Sequence, residues 1–160
     1  MRHIISILVD NEPGVLARIA GLFTARGFNI ESLCVAETEK PSLSRLTLVT
    51  SGDEWIIDQI VKRFENMINV IKVEDLSGED SLERELIIAR ISTNQKTRPE
   101  VLRVADIFRA NVVDVGPKSY ALELTGNKDK LEAFIEILTP LGLKEISRTG
   151  LISLKREKKR

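Results

Sequence analysis

The first alternation along the chain is "HIISILVD", where Ile5, Ile7 and Val9 fall on one side of a period-two pattern and Ile4 and Leu8 on the other. Apolar residues on both faces predict a central strand. After the polar turn "DNEPG", the spacing changes: Val15, Leu16, Ile19, Leu22 and Phe23 form one stripe of an amphipathic helix, and Gly27 stands where a helix C-terminus needs a left-handed residue. "NIESLCVAET" and "SLSRLTLVTS" alternate again and are joined by polar residues around Lys40 and Pro41, which predicts a hairpin. Asp53 is placed to cap a second helix whose buried stripe is Ile56, Ile57, Ile60, Val61 and Phe64, and "INVIKVEDL" closes the unit as a strand. The order βαββαβ predicts a ferredoxin-like module, four antiparallel strands with two helices on one face.

The polar stretch "SGEDSLERE" marks a boundary, and the pattern then repeats. "LIIARI" reads as a strand and "RPEVLRVADIFRAN" as a helix with Val101, Leu102, Ala105 and Phe108 inward. "VVDV" and "YALELTG" read as strands, "KLEAFIEILTPLG" as a helix and "LKEISRTGLISL" as strand-like. "EPGVL" at 12–16 has a counterpart in "RPEVL" at 98–102. The expected fold class is α+β, two ferredoxin-like modules over residues 1–78 and 82–160, the second a diverged copy of the first.

Composition narrows the function. With 42% hydrophobic residues the chain can bury a core, and no run approaches the length of a membrane span or shows a signal peptide's apolar stretch and cleavage site. The default is a soluble protein of the cytoplasm. Cys34 is the single cysteine, which leaves no intramolecular disulfide and suits a small buried side chain. The 24 basic and 24 acidic residues cancel and are interspersed, so bulk charge recruits neither nucleic acid nor membrane. The basic tail "KREKKR" reads as a solvated terminus.

Chemistry concentrates at the first strand-to-helix turn. Comparison of the two copies sets Gly14 against Glu100, Asn11 against Thr97 and Asn29 against Asp114, so only the first copy offers a bare helix start flanked by amides. The first N–H groups of a helix lack intrahelical acceptors and carry the positive end of its dipole, so residues 14–16 can donate to a carboxylate. Asn11 and Asn29 can each offer a carbonyl oxygen to an ammonium group or an NH₂ to a carboxylate. Together they suit an α-amino acid, with Val15, Leu16, Ile30 and Leu33 favouring a branched apolar side chain. A second reading stands beside this one, in which Asn11 merely caps the helix and Gly14 relieves crowding. The second module, with Glu100 at the Gly14 position, is expected to bind no such ligand.

No catalytic site is expected. The chain has no G-x-G-x-x-G and no P-loop, and His3, expected to be exposed or satisfied at an edge, is its sole histidine, so no metal site is indicated. RNA-binding modules of this topology carry stacking aromatics on their central strands, and "HIISILV" and "LSRLTLVTS" contain none.

"ILVDNEPGVLARIAGLFTARGFNIESLCVAETEKPSLSRLTLVTSGD", followed by "ERELIIARI" and "VVDVGPKSYALELTG", closely resembles the regulatory small subunits of acetolactate synthase, also called acetohydroxyacid synthase. The resemblance covers essentially the whole chain. It implies an N-terminal ACT domain, an amino-acid-sensing module of ferredoxin-like fold, and a related C-terminal domain. It further implies a non-catalytic regulator that binds a large catalytic subunit carrying thiamine diphosphate, Mg²⁺ and FAD. The regulator would raise that subunit's activity and confer feedback inhibition by valine or other branched-chain amino acids. By the same resemblance the chain would pair into a homodimer through its ACT domains. The effector would then lie between Asn11, Gly14, Val15 and Leu16 on one protomer and Asn29 and Ile30 on the other. The alternative is a free-standing amino-acid sensor acting on some other enzyme.

Overall fold

The computed structural model describes residues 1–157, so the end of the basic tail, Lys158 to Arg160, lies outside the described residues. The described residues form two compact units, one of residues 1–82 with 151–157, the other of residues 83–150.

In the first unit, β1 (Arg2–Asp10) leads through the turn to α1 (Val15–Thr24), then β2 (Ile30–Glu37), β3 (Leu43–Ser51), α2 (Glu54–Glu65) and β4 (Val70–Asp75). The antiparallel sheet runs β2-β3-β1-β4, with β1 central as its two-sided pattern requires. Ile5, Ile7 and Val9 meet Val15, Ile19 and Phe23 of α1 and Ile57, Ile60 and Phe64 of α2 in one core, where the Phe23 and Phe64 rings lie 5.6 Å apart. On the opposite face Ile4 clusters with Val49, Leu76 and Leu151.

Both helix signals act as expected. Asp53 caps α2 by accepting from the Trp55 N–H at 3.1 Å. Gly27 (φ 70°) closes α1: its N–H donates to Thr24 O and that of Phe28 to Phe23 O, both at 3.1 Å, the paired bonds of a Schellman termination.

The second unit repeats the plan with β5 (Ser81–Ser92), α3 (Arg98–Phe108), β6 (Asn111–Val115), β7 (Ser119–Gly126), α4 (Lys128–Gly142) and β8 (Leu143–Arg148). Its strand order, β6-β7-β5-β8, is the order of the first sheet in its own sequence. Ile87, Ala89 and Ile91 pack under Val101, Val104, Phe134 and Leu138. At the sheet's end the Arg148 guanidinium forks onto Glu85 with two bonds of 2.9 Å, and Glu85 is nearly buried. The hydrogen bond with Glu85 holds the Arg148 pKa above its ordinary value.

The strand-like segment "LKEISRTGLISL" proves to be two strands. Gly150 adopts φ 84°, which breaks the extension after β8, so that β9 (Ile152–Lys155) is a separate strand. Residues 151–157, assigned by the sequence pattern to the second module, pack within the first unit. Leu151 is 3% exposed, its N–H donates to Ser32 Oγ at 2.9 Å, and Lys155 and Arg156 pair with Glu79 and Asp80. An apolar residue at the free edge of an exposed terminus gains most by covering apolar surface, and Ile4, Val49 and Leu76 supply it.

His3 also differs from expectation. It is 2% exposed, on the helix-covered face beside Thr50, and among the described residues neither ring nitrogen has a hydrogen-bond partner. The cause is β1's central position, which carries even its second residue beneath the helix layer.

Candidate effector site

Between β1 and α1 the backbone turns without helical geometry until Gly14, which sits at φ 85° and ψ −11° as the N-cap of α1. A left-handed N-cap is open to glycine at no steric cost, and a β-carbon added there would meet nothing within 4 Å. The counterpart residue Glu100 lies inside α3, with Pro99 in that helix's first turn and its own carboxylate on Arg103 at 2.7 Å. What is a regular first helical turn in the second unit is thus unwound in the first.

The unwinding leaves the α1 terminus without a side-chain cap and without an acidic residue in its first turn. Val15 N–H makes only a long 3.4 Å bond to Glu12 O, and the first α1 amide to bond back within range is Arg18, to Gly14 O at 3.1 Å. Among the described residues the N–H groups of Gly14, Leu16 and Ala17 have no acceptor. Three unsatisfied donors at the positive end of a helix, in open space, form a place for an anion.

Asn11 does not cap this helix. Its Nδ2 donates to Glu37 Oε1 at the end of β2 and to Pro41 O in the hairpin loop, both at 3.0 Å, and its own N–H is held by Ser42 O at 2.8 Å. Asn69 steadies the turn from the other side: its O accepts from Asp10 N–H at 2.9 Å, and its Nδ2 reaches Glu12 at 3.1 Å and Asp10 at 3.5 Å. Its Oδ1 accepts from Arg18 at 2.8 Å.

Of the residues expected at the site, Asn11, Gly14, Val15 and Leu16 meet in this turn. Leu16 is 40% exposed, while Val15 is 2% exposed and turned into the core, so Val15 can offer only backbone. Asn29 and Ile30 lie elsewhere in the chain. Ile30 opposes Thr50, which opposes His3 near the start of β1, whereas Asn11 follows that strand's end. The Asn29 side chain is exposed, while its carbonyl accepts from Thr50 Oγ1 at 2.7 Å. Sequence reasoning missed Glu37 and Asn69. The topology carries the signal for Glu37, because the strand order β2-β3-β1 sets the end of β2 at the same sheet end as the β1 turn.

No helix among the described residues is long and apolar enough to cross a membrane, and no group of three or more acidic, His or Cys side chains is placed to hold a metal.

The fold and this turn define an ACT-type module followed by a second unit of the same plan. Residues 5–72 match the family described as the AHAS small subunit-like ACT domain, and residues 84–157 match the small subunit of acetolactate synthase. The probable acetolactate synthase small subunit of Archaeoglobus fulgidus is 46% identical over 160 residues, all of both chains. The acetolactate synthase small subunit of Haemophilus influenzae is 47% identical, with 99% of this chain and 98% of that one covered. The crystal structure of the Thermotoga maritima small subunit superposes with a TM-score of 0.90 at 37% identity over 99% of each chain. The chain belongs to the family of acetolactate synthase small subunits.

Proposed function

We propose that this chain activates an acetolactate synthase catalytic subunit and subjects it to feedback inhibition by valine or a related branched-chain amino acid, acting as a homodimer through its first unit. The observation that carries this reading is the uncapped start of α1, where Gly14, Leu16 and Ala17 present free N–H groups beside Asn11. The effector's carboxylate would take those donors and its ammonium the amide oxygens, with the exposed face of Leu16 against its side chain.

Two copies complete such a site. β2 is an edge strand with Val35 42% exposed, so its outer backbone groups and its apolar side chains both gain from a partner. Antiparallel pairing of Ile30–Glu37 with its own copy about the Leu33 to Cys34 midpoint sets Ile30 of the partner subunit opposite Glu37. Glu37 is bonded to Asn11, so the partner's Asn29 would arrive at the turn. Bulk chemistry belongs to the catalytic partner in this reading: thiamine diphosphate, Mg²⁺ and FAD are its cofactors, and the joining of two pyruvates, or of pyruvate and 2-ketobutyrate, is its reaction. The compartment of that work is the cytoplasm.

The test is reconstitution. The purified chain alone, supplied with pyruvate and all three cofactors, should form no acetolactate; added to the catalytic subunit of its own source it should raise turnover and make it valine-sensitive. Unchanged turnover and no valine response would favour the free-standing sensor instead.

A further inference from the structure

We infer that Glu37 and the Pro41 carbonyl lock the Asn11 side-chain amide in one orientation, so that Asn11 serves only the ammonium end of a bound amino acid and Glu37 is a positioning residue for that end. This rests on the effector reading of the turn and adds to it the polarity of the ligand.

The argument is one of donors and acceptors. The Asn11 amide nitrogen carries two N–H groups, and its two partners at 3.0 Å, the Glu37 carboxylate and the Pro41 carbonyl, can only accept. That fixes which end of the amide is nitrogen, because an oxygen placed there would face two acceptors. Both N–H groups are then spent, and Oδ1, which has no donor among the described residues, is the only part of the side chain left for a ligand. An oxygen can receive an ammonium and repels a carboxylate.

The neighbouring helix start has the opposite demand, since the Gly14, Leu16 and Ala17 N–H groups can take only an acceptor. An α-amino acid carries one group of each kind on the same carbon. Charge agrees with the assignment: Asp10 and Glu12 are engaged by Asn69, leaving Glu37 as the carboxylate bonded to Asn11 itself. The site is therefore built to tell an amino acid from the 2-hydroxy or 2-oxo acid of the same skeleton. A 2-oxo acid brings no donor to Asn11 Oδ1, and a 2-hydroxy acid brings one neutral O–H in place of a charged ammonium, so both forfeit the charge-assisted bond beside Glu37.

The experiment is calorimetric titration of the full chain with L-valine and with 2-hydroxy-3-methylbutanoic acid, for wild type, Glu37→Leu and Glu37→Gln. Wild type should prefer valine. Glu37→Leu releases the amide and should weaken valine binding on the order of tenfold, narrowing the preference over the hydroxy acid by a similar factor, with the melting temperature unchanged. Glu37→Gln, whose Oε1 still accepts from Asn11, should recover most of the preference. If Glu37→Leu keeps both affinity and preference, or Glu37→Gln is no better than Glu37→Leu, the positioning role is overturned. If wild type binds no valine at all, the effector reading itself fails, and this inference falls with it.

Discussion

Asn11 and Asn29 stand at opposite ends of α1, one before its first turn and the other beyond its Schellman termination. A helix of this length separates them by roughly 15 Å at 1.5 Å per residue, and no amino acid spans that gap. A site using both must draw them from two chains. Sedimentation at micromolar concentration should therefore show a dimer, and valine should tighten it. A monomer with and without valine would leave the turn and Asn29 as separate features.

Gly14→Asp tests the turn directly. The left-handed φ of 85° makes any side chain there strained, by roughly 1 kcal/mol, while a carboxylate at the helix start recovers a few tenths to about 1 kcal/mol. The fold should survive with a small loss of melting temperature. Valine, however, would face a built-in anion where its carboxylate binds, and affinity should fall about 10²-fold or more. In the reconstituted complex, inhibition should vanish while activation persists. Gly14→Ala carries the strain without the charge and should lose less; equal losses would assign the effect to backbone geometry.

The second unit is expected to bind no effector, because its corresponding turn is helical and Glu100 stands at its start. Residues 151–157 pack with the first unit, so the question is put to the full chain rather than to a fragment. Calorimetry of Gly14→Asp with valine should leave no saturable heat. Saturable binding that keeps the wild-type affinity would place a second site in residues 83–150.

Leu151→Ala should destabilise the first unit by about 2–4 kcal/mol, the range for emptying a buried leucine site. The residue is 3% exposed among Ile4, Val49 and Leu76, none of them near it in sequence. Denaturant unfolding of the full chain measures the cost. A change below about 0.5 kcal/mol would mean that residues 151–155 merely rest on the sheet.

The sequence by itself determined most of the local architecture, since period, capping and turn chemistry are properties of neighbouring residues. The two-sided pattern of Ile4, Ile5, Ile7 and Val9 makes β1 central, Gly27 ends α1 and Asp53 starts α2. The bare start at Gly14 was legible too, because the second copy supplied Glu100 for comparison. Tertiary structure decided what depends on contacts distant in sequence. It tied the Asn11 amide to Glu37 and Pro41, steadied the turn with Asn69, buried His3 with no partner among the described residues and brought Leu151 back to the first sheet. Each of those outcomes follows from which strands lie side by side, and hydrophobic periodicity sets the face a residue occupies without naming the neighbour it will meet there.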